Sequence, residues 1–214
     1  MSRFNNYAMK LEELTKEAIK TLKEAEEKER KTQKALSEYP QRYGFVDASY
    51  QVEHDKRKVA HDEAVMNLDK VKSTIPYTLA DQLSALRSQL KAEADYYFAV
   101  DPSQLQPEVV SFLESGITTL NDYHKLMRTA ISDNNVTMIR LIANSANKKA
   151  EELHDATERS KLKMIASEAN KYTTESYLTA FDSLVSVANR CMKNTHLADH
   201  WDTDLGMNNA VRMF

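Results

Sequence analysis

The sequence contains very little glycine and proline. Three glycines and four prolines occur in 214 residues, whereas average usage is about 7% and 5%. Sheets need turn residues at short intervals. Phosphate-binding loops need clustered glycine, because a residue without Cβ lets backbone N–H groups approach an anion closely. The scarcity of both residues therefore predicts long helices and argues against a glycine-rich nucleotide-binding loop.

Cysteine, charge imbalance and long apolar runs are equally scarce. Cys191 is the only cysteine, so an intramolecular disulfide and a zinc site built from several thiolates are excluded. The 29 basic and 32 acidic side chains give a formal net charge of −3, which does not attract nucleic acid or an anionic membrane. No run of about 18 uncharged apolar residues occurs. We therefore expect no signal peptide, no membrane association and no direct binding of nucleic acid.

The first 75 residues show the apolar spacing of two long helices. From Phe4 to about Glu38 apolar residues recur every three or four positions, which predicts one helix of about 35 residues and 50 Å. Pro40 ends it. A second helix is predicted from about Asp47 to a break at Ile75-Pro76. Its proposed inward positions are Val52, Val59, Met66 and Ser73.

The two helices match in length around Tyr43, which predicts an antiparallel hairpin. Symmetry about Tyr43 pairs Leu36 with Tyr50 and Leu22 with Ala64. Tyr39 and Tyr50 are expected to stack across the turn and close the hairpin. The charged stretches predict ion pairs one helical turn apart, and the examples are Glu24 with Lys28 and Glu27 with Lys31.

The remainder reads as a helical body. A helix is predicted after Pro76, with Leu79, Leu83, Leu86 and Leu90 on one side and Phe98 near its end. Pro107 suits the start of a short helix, Gly116 its end, and Thr119 with Asp122 a capped restart. A long helix from Val136 towards Asn170 and another from Thr174 to about Lys193 follow. The predicted fold is all-α, with residues 1–75 as a hairpin arm, 76–195 as a helical bundle and 196–214 as a tail.

Residues 112–143 carry a recognisable set of short elements. They are Ser115-Gly116-Ile117, Asp122-Tyr123, Leu126, Asn135, Thr137-Met138 and Arg140-Leu141-Ile142. This segment, about a seventh of the chain, resembles uncharacterised helical proteins encoded by phages and prophages of Gram-positive bacteria. The resemblance implies a viral context and a location in the bacterial host cytoplasm or the virion. It implies no activity and no site.

No group of residues makes a convincing catalytic, cofactor or metal site. His196 and His200 share one helix face, but a catalytic zinc needs a third protein ligand and no histidine near them supplies it. His54 and His61 are interpreted as part of a solvated face. Cys191 lies beside Arg190 but has no recognisable base or oxyanion site. We therefore predict that the protein is not an enzyme and has no catalytic residues, no cofactor and no metal.

Exposed aromatic residues predict contacts with a protein partner. Tyr43 and Phe45 fall at the hairpin tip, and the tail is apolar for a chain end, where it either docks on the bundle or engages a partner. The partner candidates are Tyr43, Phe45, Trp201, Met213 and Phe214. The leading hypothesis is a phage virion or virion-assembly component. The alternatives are an early phage protein that inhibits a host factor such as a defence nuclease, and a homomeric coiled-coil scaffold.

Overall fold

The structure is a computed structural model, and it describes residues 4–39 and 47–195. Over these residues all regular structure is helical, which confirms the predicted all-α fold. The α-helices are α1 Asn5–Ser37, α2 Ala48–Tyr97, α3 Pro107–Glu114, α4 Leu120–Ser132, α5 Val136–Glu152, α6 Ala156–Ser167 and α7 Thr174–Lys193. Two short 3₁₀ helices cover Pro102–Gln104 and Glu168–Lys171.

The chain divides into two compact units. Unit 1 holds the described residues up to Arg87 and those from Phe181 onward, and unit 2 is Ser88–Ala180. Helices α2 and α7 each contribute one part to each unit. In unit 1 the α2 and α7 parts are joined by a two-pronged ion pair, in which Arg87 donates to both carboxylate oxygens of Asp182 at 2.7 and 2.8 Å.

Helices α1 and α2 of unit 1 form an antiparallel hairpin. The rings of Tyr39 and Tyr50 stack with centroids 5.0 Å apart. Further along, Thr32 Oγ1 lies 3.5 Å from His61 Nδ1, and Lys72 Nζ lies 3.6 Å from the Glu26 carboxylate. Because residue numbers fall along α1 as they rise along α2, the helices run in opposite directions. The predicted hairpin and the Tyr39–Tyr50 stack are both confirmed.

The two helices meet along a seam with the three-and-four spacing of a coiled coil. Every seam residue is buried or half-buried. On α1 and the residues that flank it, the seam consists of Phe4, Ala8, Leu11, Thr15, Ala18, Leu22, Ala25, Glu29, Thr32, Leu36 and Tyr39. On α2 it consists of Tyr50, His54, Arg57, His61, Ala64, Leu68, Val71, Ile75 and Leu79.

Along most of the seam, the pairing of α1 with α2 is shifted by seven residues from the pairing predicted by symmetry about Tyr43. Counting along both seams from the Thr32–His61 contact places Leu22 opposite Val71 and Ala18 opposite Ile75. Ala18 and Ile75 line one small surface cavity, as this register requires. The predicted pairing of Leu22 with Ala64 is therefore wrong, because the hairpin is not symmetric about Tyr43. At the tip the offset is smaller, and Tyr50 stacks on Tyr39, which lies one turn beyond the predicted partner Leu36.

Helix α2 does not end at Pro76, and the predicted break there is wrong. Proline in a helix interior removes one backbone hydrogen bond and costs about 3 kcal/mol. Pro76 is exposed, whereas Ile75 and Leu79 beside it lie on the seam. Seam packing on both sides therefore holds the helix together across a residue that would end an isolated one.

The second helix also turns a different face inward from the one predicted. Val52, Val59 and Met66 were expected on the seam, but they are exposed by 54%, 55% and 72%. Each lies two residues after a seam position, which is about 160° around the helix. These three side chains therefore point away from α1.

Unit 2 is built around α3 to α6, with α5 in contact with α3, α4 and α6. Its core consists of Leu113, Tyr123, Met127, Ala130, Met138, Ile139, Ile142, Ala143, Ala146, Ala150, Leu162, Ile165 and Ala166. The local signals behave as predicted. Pro107 begins α3, Gly116 follows α3 with a φ of +74°, and Thr119 with Asp122 forms a reciprocal capping box.

The predicted long helix from Val136 to Asn170 is wrong, because it is two helices. Helix α5 ends at Glu152, and Asp155 starts α6 by accepting hydrogen bonds from the backbone N–H groups of Thr157 at 2.7 Å and Glu158 at 3.0 Å. The helix from Thr174 to Lys193 is confirmed, as is the burial of the leucines at 79, 83, 86 and 90.

The seam register predicts which cysteine pairs can form a disulfide. In a chain with Cys191→Ser, the pair Thr32→Cys/His61→Cys should oxidise readily, because these side chains are in contact. The matched pair Ala25→Cys/His61→Cys should not form a disulfide, because residue 25 lies one heptad, about 10 Å along α1, from the residue that faces His61. Non-reducing mass spectrometry measures both. Preferential oxidation of the second pair would show that the register is wrong.

Capping by aspartate predicts a loss of stability in acid. The backbone N–H groups of Glu158 and Thr157 lower the pKa of Asp155. The ionised cap therefore stabilises the fold fully at pH values above the ordinary aspartate pKa of about 3.9. This stabilisation is lost as the pH falls through the lowered pKa of the folded state. Asparagine caps about as well but does not titrate. We expect Asp155→Asn to narrow the difference in Tm between pH 7 and pH 3. An unchanged difference would contradict this role.

Candidate partner-binding surfaces

The partner candidates chosen from the sequence all lie outside the described residues. Two of them belong to segment 40–46 and three follow Thr195, as do both histidines considered as zinc ligands. These residues are Tyr43, Phe45, Trp201, Met213, Phe214, His196 and His200. The candidate surfaces are therefore built from residues 4–39 and 47–195.

The first surface is an exposed apolar stripe on the outer side of α2, formed by Val52, Val59 and Met66. We call it the outer stripe. Its members recur every seven residues, so they lie about 10 Å apart along one line and span about 21 Å. Isolated exposed apolar residues are ordinary. Three that recur at one position of successive heptads form a continuous line along one helix face, although this line is narrower than the two-position apolar seam of a coiled coil.

The outer stripe has an acidic flank. Asp55, Asp62 and Asp69 are exposed and each follows a stripe residue by three positions, so they form a parallel line on one side. Among the described residues, Asp62 and Asp69 have no ion-pair partner. The other flank carries Lys56, Glu63 and Lys70, which alternate in sign.

Beneath this surface the hairpin seam is polar. Arg57 donates from its guanidinium to the Ala35 carbonyl at 2.9 Å and to Glu53 at 3.0 Å, and it lies 4.6 Å from the centroid of the Tyr39 ring. These contacts tie the end of α1 to α2. The distal hairpin is thus held by hydrogen bonds and ring contacts rather than by an apolar core.

The histidines of α2 belong to this seam. His61 contacts Thr32, and the His54 ring stacks on Tyr50 with centroids 6.2 Å apart. The interpretation of His61 as part of a solvated face is therefore wrong, whereas His54, whose side chain is 39% exposed, stacks on a ring of its own helix. They occupy seam positions, which an apolar-only count passes over. Of the two predicted ion pairs, Glu27–Lys31 forms at 2.6 Å, while Glu24 lies 3.9 Å from Lys20 instead.

The second surface is a cleft of about 390 Å³ in unit 2, between α3, the loop after it and α5. Lys149 forms one wall by donating from Nζ to the carbonyl oxygens of Gly116 at 3.0 Å and Thr118 at 2.5 Å. The hydroxyls of Tyr123 and Ser145 are 2.8 Å apart. These contacts hold the walls of the cleft in place, and in them Lys149, Tyr123 and Ser145 form hydrogen bonds within the fold.

The remaining polar groups of the cleft are of mixed sign. Glu114, Asn144, Lys148 and Glu152 border it, and its volume falls in the range of about 300–1,000 Å³ that small-ligand sites occupy. Opposite charges side by side select for no one charge on a ligand. The cleft's geometry therefore allows binding but does not define a ligand class.

Cys191 is fully buried in unit 1. Burial raises the pKa of its thiol, and Arg190 offsets this only in part, so the thiol stays protonated at neutral pH and is a poor nucleophile. Within residues 4–39 and 47–195, no three His, Cys, Asp or Glu side chains are grouped so as to hold a metal ion. In the same residues no helix is long and apolar enough to cross a membrane.

Comparison with known proteins adds no relative. No protein-family model matches the chain, and neither the curated proteins nor the solved structures contain a match. Assignment of the sites therefore depends on their geometry and chemistry.

Sequence reasoning missed both surfaces for different reasons. The seven-residue repeat of the outer stripe was visible, but it was assigned to the hairpin seam because polar residues at the true seam positions were not counted. The cleft joins α3 to α5, which are some thirty residues apart in sequence, and no local pattern reports such a contact.

Two neighbouring lysines of α5 should differ sharply in their effect on stability. Lys149→Ala leaves the Gly116 and Thr118 carbonyls without their charged donor and should lower the free energy of unfolding by about 1–3 kcal/mol. Lys148→Ala, at an exposed position of the same helix, should change it by no more than about 0.5 kcal/mol. Urea unfolding followed by circular dichroism measures both. Equal effects would show that Lys149 does not hold the loop.

Proposed function

We propose that this protein is not an enzyme and acts through protein–protein contacts, with the distal part of the α1–α2 hairpin as the contacting arm. The observation that carries the proposal is the outer stripe. Its three apolar side chains lie on the side of α2 that faces away from α1, so they do not serve the hairpin's own packing.

The energetics favour a contact surface. Burying a valine or methionine side chain stabilises an interface by about 1.5–3 kcal/mol. Burial of the three stripe side chains therefore contributes favourably to a contact, and the charged flanks orient it. The hairpin's own packing does not account for apolar side chains at this strict interval, because they lie on the side of α2 that faces away from α1.

The working assignment is a phage virion or virion-assembly component. The support is the resemblance of residues 112–143 together with a helical arm suited to bridging subunits, since α1 alone is about 50 Å long. An early protein that binds a host factor would use the same arm. The partner's identity separates the two.

Site-specific photo-crosslinking tests this assignment. Benzoylphenylalanine at Val59, in cells producing the phage, should form an adduct with a virion protein, identified by mass spectrometry. The same group at Tyr96, which is 83% exposed in unit 2, is the matched control and should give none. An adduct with a host protein would favour the alternative that the protein binds a host factor early in infection. An adduct with a second copy of the chain would favour the homomeric scaffold. Adducts at Tyr96 alone would overturn the role of the arm.

A further inference from the structure

We propose that the outer stripe binds an amphipathic helix of the partner protein, and that this helix carries lysine or arginine along the side that faces Asp55, Asp62 and Asp69. The inference rests on the proposed function, because it requires that the arm contacts a protein. It adds the secondary structure and the charge of the element that is bound.

The repeat of the stripe selects a helix. Side chains on one face of a β-strand recur about every 6.7 Å, which does not match an interval of about 10 Å. A helix packed at a shallow angle presents side chains at the same seven-residue interval and stays in step along the whole contact. From Val52 to Met66 the stripe spans about 21 Å, so the bound helix needs about 14 residues or more.

The acidic flank selects the charge. Asp55, Asp62 and Asp69 keep the same interval as the stripe, so a helix lying on the stripe brings one of its own positions close to each of them in turn. Asp55 is engaged within α2, where Gln51 donates to it at 3.1 Å. Asp62 and Asp69 have no such contact among the described residues, and basic side chains at the facing positions would pair with them.

A second copy of the chain matches this surface less well. On α1, Lys16, Lys23 and Arg30 also recur every seven residues, but the exposed large apolar side chain of that helix is Met9 alone among the described residues. A second α2 would bring apolar side chains flanked by the same three aspartates. Neither helix offers an apolar line and a basic line together.

Two synthetic helical peptides of 21 residues test the inference. Both carry leucine in one three-and-four stripe, and they differ only along one flank, which holds lysine in the first and glutamate in the second. Fluorescence anisotropy with the full chain at low salt should show the lysine peptide binding about tenfold tighter, as expected for several exposed ion pairs. Added salt should shrink the preference, and Val59→Ser should weaken both peptides.

The charge reversal Asp62→Lys/Asp69→Lys should invert the preference. The matched control is Glu17→Lys/Glu24→Lys, which makes the same change at the same interval on α1 and should leave the preference as it was. Equal binding of both peptides, or a preference that survives the Asp62→Lys/Asp69→Lys change, would overturn the inference. So would a doubled mass in sedimentation that Val59→Ser abolishes, since a second copy would then cover the stripe. If Val59 still crosslinks to a partner while the peptides bind alike, the proposed function stands and this inference fails.

Discussion

The three-and-four spacing along one line of α2 determines the arrangement of the arm. Ala64, Leu68, Val71, Ile75 and Leu79 continue that line into the apolar part of the hairpin, where the facing residues of α1 are also buried. Because a helix is stiff, its proximal half sets the rotation of its distal half. The seam therefore stays on the same line even where that line carries histidine and arginine.

This constraint explains why polar residues lie on the seam and apolar ones on the outside. Rotating α2 to bring Val52, Val59 and Met66 against α1 would gain three apolar contacts at the tip. It would also turn Ile75 and Leu79 outward and lose the packing that carries the helix across Pro76. The proximal half determines the rotation of α2 because it buries more apolar surface. The tip is held by Arg57, His61 and the stack of Tyr39 on Tyr50. Polar groups at seam positions also fix one register, since a slip by one turn leaves them without their partners.

The sequence predicted those features of the fold that depend on local residue patterns, and it did not predict those that depend on packing between helices. Helix starts and ends with a capping side chain or a glycine were predictable, as at Pro107, Gly116 and Thr119, because each signal acts within a few residues. The split at Asp155 had such a signal, an aspartate three residues before Glu158, and was overlooked inside a longer apolar repeat. The continuity through Pro76 and the register of the hairpin were not predictable in this way. Both depend on packing between helices, which outweighs the local preference for a break.

The two candidate surfaces differ in whether the fold itself accounts for their side chains. In the cleft, Lys149, Tyr123 and Ser145 satisfy their polar groups within the fold, and the charges at its border oppose one another. It is therefore explained as a by-product of packing a short α3 against a longer α5. The outer stripe has no such explanation, since its apolar side chains contribute nothing to the seam and its aspartates at 62 and 69 are not used by the described residues. The outer stripe keeps an apolar and a charged line in step over two heptads without serving the fold, and the proposed binding role rests on that difference from the cleft.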